Sequence, residues 1–330
     1  MVTKKHIGFC LLTVLWILTG CGRNHSQPIQ KSGIYFDTLI QITLYEDDQQ
    51  SLLDECFQMA ETYENMLSKT IEHSDIWNIN HAMGDAVIVS EETGYLLEQA
   101  KYFAKLSQGA VDPTVGALSG LWDFSENVKQ HSVPNIKEIA KALENTGYEN
   151  LIVKKQALGY EVIAKQGIQV DLGFIAKGYI ADKMKEYLTS NHVEHGIINL
   201  GGNVLTIGNK PTGETYTIGI QKPFSETGET ISMISVKDKS VVSSGIYERC
   251  FEENGVIYHH ILDMETGFPV QNELYHVTII SDSSMEGDAL STACLVLGLK
   301  DGLALLESIP SCEGIFITNT YEIVKTSGLN

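Results

Sequence analysis

The chain has 330 residues, of which 43% are hydrophobic and 20% charged, as expected for a globular protein with a sizeable core. Its formal net charge of −19 argues against a nucleic-acid partner, because phosphate backbones attract basic surfaces and no basic stripe is present. An acidic protein that binds an anionic ligand needs a metal ion, backbone N–H groups or local cations to receive it.

Residues 1–20 have the pattern of a secretory signal peptide. Lys4 and Lys5 precede an apolar run that is too short and too one-sided for a membrane span. The run ends in LTGC, which resembles a bacterial lipobox whose cysteine, here Cys21, is lipidated after cleavage. The alternative is a simple N-terminal anchor helix.

This leader predicts a mature protein that is anchored by lipid to the cell membrane, on the extracytoplasmic side. We expect a flexible tether over residues 21–32 and a single folded domain over residues 33–330. None of the remaining cysteines sits in a C-x-x-C pair, so zinc ribbons and thioredoxin-like motifs are absent, and no pattern supports a disulfide. These cysteines are Cys56, Cys250, Cys294 and Cys312.

Hydrophobic patterning and turn residues predict the elements of the first half of the chain. They indicate a strand over 33–45, helices over 49–66 and 90–107, a glycine-rich ordered loop over 109–134, and a short amphipathic helix over 135–147. Short strands follow near 151–154, 159–164 and 167–171, and then a strand end, a turn and a helix over 170–188.

The second half reads as strands interrupted by helices. The patterns predict strands over 195–202, 216–223, 231–236 and 274–281, a hairpin around Asn254-Gly255, helices over 284–298 and 300–309, and a terminal hairpin over 314–328. Clusters of strands broken by helices favour an α+β fold over a regular βαβ series.

Three side chains in the predicted helix over 284–298 form a candidate cation site. Asp288, Ser291 and Thr292 are spaced i, i+3 and i+4, so their oxygens share one helical face. This set suits Mg²⁺, which prefers oxygen ligands and usually shares them with substrate phosphates. Alternatively, Asp288 interacts with the helix dipole and the hydroxyls bond to the preceding turn. The spacing alone favours this structural interpretation.

The segment VDLGFIAKGYIAD places Asp171 before a turn that leads into a helix. Gly173 and Gly178 allow close backbone approach, and Lys177 is a candidate phosphate contact, although no Walker A pattern is present. The structural alternative makes Asp171 the N-cap of the helix. A later NLGGN segment lacks the full GxGxxG spacing and is a weak nucleotide-binding signal.

Two adjacent histidines, His259 and His260, lie in the predicted strand YHHILD, where neighbouring side chains point to opposite faces. At most one of them faces a given site, and the residues alone do not show which. His192 and His195 stand at i and i+3 without an evident third zinc ligand, and we interpret them as surface residues. No GxSxG motif supports a Ser-His-Asp hydrolase.

Over nearly all of its mature region, the chain resembles the ApbE family of FAD:protein FMN transferases. Several motifs in the expected order and spacing are more specific than any one of them. The matching stretches are YFDTLIQITLY, GAVDPTVGALSGLW, VDLGFIAKGYIAD, NLGGNV, IGIQKP, SSGIYERCFEENGVIYHHILDMETGFPV and GDALSTACLVLG.

The resemblance implies an α+β fold with mixed or antiparallel sheets and packed helices, in which FAD lies in a cleft between two lobes. It implies a Mg²⁺-dependent enzyme that cleaves FAD, attaches FMN through its phosphate to a threonine of a target protein, and releases AMP. The implied acceptor is a respiratory membrane flavoprotein. The alternatives are an FAD pyrophosphatase that yields FMN and AMP, and a lipid-tethered flavin-binding protein without catalysis.

Carried over by position, the resemblance assigns Mg²⁺ ligands to the side chains of Asp288, Ser291 and Thr292 and to the backbone oxygen of Ala176. It also assigns a set of flavin contacts. These fall on Phe36, Ala110, Val111, Asp112, Gly173, Tyr179 and Leu262.

The catalytic residues that the resemblance implies are Asp288, which holds the metal, and His260, which takes the proton of the attacking threonine. The histidine that precedes His260 is then structural. The chain departs from the family pattern at three positions. Val111 replaces a common Phe and is expected to loosen the flavin wall, while Ile246 replaces an Asp and Met264 replaces a Pro. None of these departures touches the implied metal ligands.

Overall fold

A computed structural model describes residues 27–46, 48–125, 128 and 130–329. The predicted signal peptide and the lipidation of Cys21 lie outside the described residues. The strands, in chain order, are β1 (Ile29–Tyr35), β2 (Thr38–Leu44), β3 (Val87–Val89), β4 (Leu151–Lys155), β5 (Tyr160–Ala164), β6 (Gly196–Leu200), β7 (Asn203–Ile207), β8 (Tyr216–Gln221), β9 (Thr230–Val236), β10 (Ser240–Gly245), β11 (Cys250–Glu253), β12 (Val256–His259), β13 (Leu274–Ser281), β14 (Glu313–Thr318) and β15 (Ile323–Lys325).

The helices account for most of the remaining regular structure. They are α1 (Gln50–Leu67), α2 (Asp75–His81), α3 (Glu91–Leu106), α4 (Gly116–Trp122), α5 (Ile136–Leu143), α6 (Ala176–Ser190) and α7 (Ser284–Glu307). The predicted helices over 49–66 and 90–107 are confirmed as α1 and α3. Ser90 caps α3 by accepting the Thr93 N–H at 3.1 Å, as its position before two acidic residues indicates.

An antiparallel sheet of eight strands, in the order β1-β2-β6-β7-β10-β13-β14-β15, forms the centre of the fold. Helices α1, α6 and α7 cover one face, where α7 lies against β10 and β13. On the other face, the β8–β9 hairpin buries Tyr216 and Ile220 against side chains of β10, β13 and β14. The predicted α+β class is confirmed.

Two smaller units border this sheet. The three strands β3, β5 and β4 form a separate antiparallel sheet, against which α2 and α3 pack. The β11–β12 hairpin turns at Asn254-Gly255, both with positive φ, as the sequence predicts. Its aromatic side chains stack around Trp122 of α4, so that α4, α5 and the hairpin share a small hydrophobic cluster.

Several predictions about local structure are wrong. The expected first strand is a hairpin, β1–β2, which turns at Phe36 and Asp37. Strand β1 begins at Ile29, so residues 29–32, assigned above to the tether, are paired with β2. The expected loop over 109–134 contains α4. The strand expected over 167–171 is absent from the described structure, where Gln169 makes only an isolated bridge with Val115, the residue before α4.

The two helices predicted over 284–309 are joined in α7, which is interrupted only at Gly298, where φ is 79° and ψ is 177°. In the described part of the chain, α7 is the one helix long and apolar enough to span a membrane. Half of its apolar window is buried inside the protein, and it is therefore the core helix of the main sheet.

Candidate active site

Helix α6 packs against the N-terminal end of α7. The Asp182 carboxylate of α6 accepts the N–H groups of Ser284 and Met285, at 2.7 and 3.0 Å. It also accepts the hydroxyl of Ser283, the N-cap of α7, at 2.7 Å. A Cβ on Gly178 of α6 would overlap the Ser284 carbonyl oxygen, so glycine is required for this approach.

Asp288 lies where the two helices meet and is only 3% exposed. One of its carboxylate oxygens accepts the backbone N–H of Gly178 at 2.9 Å. The other lies 3.7 Å from the Lys177 ammonium. Ser283 is the N-cap of α7, and Asp288 lies one turn further along the helix. Its carboxylate joins the first turn of α6 to the second turn of α7.

Three hydroxyl groups lie close together at the next turn of α7. Ser244, at the end of β10, lies 2.8 Å from the Ser291 hydroxyl and 3.1 Å from the Thr292 hydroxyl. The Ser291 hydroxyl also donates to the carbonyl oxygen of Asp288 at 3.0 Å, which is the back-bonding of the structural alternative. Ser244 belongs to this group through tertiary structure, and the sequence offered no local signal for it.

The oxygen atoms of this region fit a hard cation. Asp288, Ser291 and Thr292 share one face as predicted, and the backbone of Ala176 begins α6 two residues before Gly178. The residues described contain no group of three or more His, Cys, Asp or Glu side chains that could hold a metal. A cation at this place therefore depends on one carboxylate together with hydroxyl and carbonyl oxygens, a donor set that suits Mg²⁺ and disfavours Zn²⁺.

His260 follows β12 beside the cationic residues of the site. Its backbone N–H donates to the Arg249 carbonyl at 3.1 Å, and its ring Nδ1 is buried without a hydrogen-bond partner in the described part of the chain. Burial, followed by the charges of Arg249, His259 and Lys177, lowers the pKa of His260 to about 3. The ring is therefore neutral near pH 7. Because Lys177 also faces Asp288, the histidine and the oxygen cluster share one neighbour.

His259, the last residue of β12, has other surroundings than His260. His259 is 1% exposed, and its Nε2 lies 2.9 Å from the carbonyl oxygen of Val270. Burial lowers the pKa of His259 to about 4, against the effect of that carbonyl. His259 thus has a structural contact, and only His260 is directed towards the charged residues. His192 is exposed, as expected, whereas His195 is half-buried against the Asn209 carbonyl.

The β1–β2 turn approaches the same region. Arg249 donates to the Asp37 carbonyl at 3.5 Å, and the Phe36 N–H donates to Glu64 at 2.6 Å. Glu248 lies at the edge of this cluster, where desolvation raises the pKa of its carboxyl to about 6 against the opposing charges of Lys177 and Arg249. The Asp37 carbonyl thus contacts Arg249, and Phe36 precedes it in the same turn.

A cavity of about 480 Å³ is lined by one of the implied flavin residues, Asp112. Gly109, Asp112 and Met264 line it, which brings the Ala110–Asp112 segment next to the chain that follows Leu262. The Asp112 carboxylate accepts hydrogen bonds from Thr114 and from the Tyr148 N–H, so it also fixes the local backbone. Desolvation raises the pKa of Asp112 despite these hydrogen bonds.

Three of the implied flavin residues are buried among protein side chains. Val111 and Tyr179 lie in the main core, where the Tyr179 ring meets Tyr63 edge-on at 5.8 Å. Leu262 packs with Trp122 and its neighbours in the small cluster. Gly173 is exposed in the turn before α6. The flavin-contact assignments remain predictions.

The interpretation of Asp171 as an N-cap is wrong. The N-cap position of α6 is Ile175, and no side chain caps this helix. Asp171 instead accepts the Lys69 ammonium at 2.6 Å, the Ser119 hydroxyl at 2.8 Å and the Gly173 N–H at 2.9 Å. Lys69 and Ser119 come from distant segments and were not identified from the sequence.

The fold and the site define an antiparallel α+β protein with a preformed oxygen cluster beside two basic residues and a neutral histidine. The sequence profile of the ApbE family matches residues 36–316. The chain belongs to the ApbE family.

Relatives in this family are similar along almost their whole length. A protein of Klebsiella pneumoniae named FAD:protein FMN transferase is 36% identical over 297 residues, covering 90% of this chain and 91% of the relative. A protein of the same name from Treponema pallidum is 32% identical, with 97% and 92% covered.

Solved structures show the same fold. The ApbE protein of Thermotoga maritima superposes with a TM-score of 0.84 at 32% identity, over 92% of this chain and 98% of that one. The flavin transferase ApbE from Vibrio cholerae gives a TM-score of 0.81 at 27% identity, over 91% and 97%.

Proposed function

We propose that this member of the ApbE family is an FAD:protein FMN transferase that depends on Mg²⁺. In the reaction, a threonine hydroxyl oxygen of the acceptor forms a bond to the FMN phosphorus, and the bond from that phosphorus to the bridging oxygen breaks. AMP leaves with the bridging oxygen. The observation that carries the proposal is the oxygen cluster of Asp288, Ser291 and Thr292 beside Lys177 and His260 in a chain of this family.

The Mg²⁺ ion would be held by Asp288, by the hydroxyls of Ser291 and Thr292, and by the Ala176 carbonyl oxygen. When bound, Mg²⁺ neutralises charge on the diphosphate oxygens, which is the main requirement of phosphoryl transfer. This arrangement also explains how a protein with a net charge of −19 receives an anionic dinucleotide.

Lys177 and Arg249 would supply the local positive charge. The Lys177 ammonium is near Asp288 and shifts the titration of His260, so it reaches both parts of the site. His260 is neutral and its Nδ1 has no hydrogen-bond partner among the described residues, so it can accept the threonine proton. An anionic phosphate beside these cations would offset their charge and make the ring a stronger base.

The predicted location of the protein at the membrane is part of the same proposal. The sequence pattern ending at Cys21 supports a lipid anchor on the extracytoplasmic side of the cell membrane. An anchored enzyme meets membrane proteins that expose soluble domains on that side. We therefore propose a respiratory membrane flavoprotein as the acceptor.

Incubation of the mature protein with FAD, Mg²⁺ and a candidate acceptor domain tests the function. Intact-mass spectrometry of the acceptor should show the addition of one FMN, and chromatography should show an equal amount of AMP. Free FMN with an unmodified acceptor would indicate a pyrophosphatase instead. Bound FAD that releases neither FMN nor AMP would indicate a flavin carrier.

A further inference from the structure

A cluster of three side chains joins distant parts of the chain just before α6. Lys69 lies just after α1, and its ammonium donates to the Asp171 carboxylate at 2.6 Å and to the Ser119 hydroxyl at 2.8 Å. Ser119, on α4, donates to the same carboxylate oxygen at 2.8 Å. We call these residues the Lys69 cluster. It connects the end of α1 to two segments that backbone hydrogen bonds already join, from the Gly116 N–H to the Gln169 carbonyl at 2.9 Å and from the Asp171 N–H to the Pro113 carbonyl at 2.8 Å.

The Lys69 cluster leads directly into the proposed cation site. The second oxygen of Asp171 accepts the Gly173 N–H at 2.9 Å, which fixes the turn after it. The Leu172 carbonyl then accepts the N–H of Ala176 at 2.9 Å, and α6 begins there. Two residues further on, the Gly178 N–H reaches Asp288. Among the described residues no side chain caps α6, so the Asp171–Gly173 hydrogen bond holds its entry turn together with the backbone bonds to the Leu172 carbonyl.

Lys69 is the cation that makes this arrangement stable. Burial favours the neutral form of Asp171, yet the charge and hydrogen bond of Lys69, with Gly173 and Ser119, hold the pKa of the Asp171 carboxyl below its usual value. Without the ammonium, a carboxylate with a side chain only 19% exposed would keep two weak donors and no countercharge. The turn could then relax and carry the Ala176 carbonyl away from Asp288.

We propose that Lys69 is a positioning residue of the cation site, which acts through Asp171 to place the Ala176 carbonyl oxygen opposite Asp288. This inference rests on the proposed function, because it concerns the same cation site. Its action is indirect, since Lys69 contacts Asp171 and Ser119 and not the proposed ligands. Groups that hydrogen-bond directly to a metal ligand typically change metal affinity by 10–100-fold when they are removed, and for the indirect contact of Lys69 we expect the low end of this range.

The test measures Mn²⁺ binding by electron paramagnetic resonance in the mature protein and in four variants. Lys69→Met and Asp171→Asn should each weaken Mn²⁺ binding about tenfold. The double variant should lose no more than either single one, because both act through one contact. Lys69→Arg should restore most of the affinity. Hydrogen exchange of residues 172–178 should be faster in Lys69→Met.

Lys31→Met is the matched control. Lys31 forms an ion pair with Asp54 at 2.7 Å, and its side chain is 35% exposed against 36% for Lys69. This ion pair joins β1 to α1 and does not involve the segment before α6. The Lys31→Met variant should leave Mn²⁺ binding unchanged. The inference is overturned if Lys69→Met binds Mn²⁺ within twofold of the parent protein, lowers only the melting temperature, or weakens binding no more than the control.

The two proposals fail differently. A parent protein that binds no Mn²⁺ overturns the cation site and this inference together. A parent protein that binds Mn²⁺ but transfers no FMN contradicts the proposed function alone, and the positioning role of Lys69 is then decided by the binding series.

Discussion

The Asp288 carboxylate accepts the backbone N–H of Gly178 at 2.9 Å, and this contact joins the first turn of α6 to the second turn of α7. The same carboxylate carries the charge at the centre of the oxygen cluster. One residue therefore contributes both to helix packing and to the proposed cation site. Substitutions must separate these two roles, which is possible because an amide keeps the acceptor oxygen and loses the charge.

Asp288→Asn should abolish Mg²⁺-dependent transfer while the protein stays folded. The neutral amide can still accept the Gly178 N–H, but it is a poor ligand for a hard cation. We expect the rate of FMN transfer to fall on the order of a hundredfold or more, measured against Mg²⁺ concentration. Asp301→Asn, at an exposed position of the same helix, is the control. Transfer within threefold of the parent rate would exclude Asp288 as a ligand.

Gly178→Ala should destabilise the protein, because the added methyl group overlaps the Ser284 carbonyl oxygen. Backbone cannot move as easily as a side chain end, so we expect a loss of about 1–3 kcal/mol in the free energy of unfolding. Denaturant titration measures this loss. Gly120→Ala, at an exposed site in α4 with no atom within 4 Å of the new Cβ, should be neutral or slightly stabilising. Equal effects of the two variants would contradict the close approach of α6 and α7.

The sequence predicted those features of the site that depend on spacing within one element. Asp288, Ser291 and Thr292 share a face because a helix repeats every 3.6 residues. His259 and His260 have different surroundings, as predicted, although only His259 belongs to β12. Partners from other elements could not be found this way. Lys69 meets Asp171 across 102 residues, and Ser244 meets Ser291 across 47, and no local pattern records such contacts.

The missed turns have a similar cause. Phe36 and Asp37 both adopt positive φ without a glycine, and Asp37 alone is a weak signal for a turn within a run of strand-forming residues. Helix α4 has two glycines in seven residues, which predicted a loop. It forms because Leu118 and Trp122 are buried one turn apart against α5 and the β11–β12 hairpin. Tertiary packing thus overrides propensity at both places.

Protonation of His276 should make the protein less stable in acid. His276 is 1% exposed and lies between the Tyr247 hydroxyl at 2.9 Å and the Thr278 hydroxyl at 2.7 Å. Burial lowers its pKa from 6.5 to about 4. Between these values the unfolded chain binds a proton that the folded protein does not, so stability falls as the pH decreases through this window.

The size of this effect can be measured against His276→Gln, which has no titrating ring. Between pH 7.5 and pH 5, the parent protein should lose about 2 kcal/mol more unfolding free energy than the variant. His192→Gln, at an exposed position, should follow the parent protein. A parallel pH dependence of parent and His276→Gln would show that the ring does not stay neutral in the fold.

Cys21→Ser tests the membrane address. If the cysteine is lipidated after cleavage, the variant should appear in the soluble extracytoplasmic fraction or retain its uncleaved leader, while the parent protein stays with the membrane. Fractionation and mass spectrometry of the N-terminus distinguish these forms. An unmodified N-terminal anchor helix would instead hold parent and variant in the membrane equally.

His260→Gln should separate flavin binding from turnover. The ring is half-buried, its Nδ1 has no partner, and burial with the charges of Arg249, His259 and Lys177 keeps it neutral at pH 7. Glutamine preserves polarity and much of the volume but cannot take the threonine proton, so turnover should fall on the order of a hundredfold. FAD affinity, followed by quenching of flavin fluorescence, should stay within threefold of the parent value. His192→Gln should leave both quantities unchanged. If His260→Gln turned over at the parent rate, His260 would not be the base. If FAD affinity fell in parallel with turnover, His260 would be a binding residue instead.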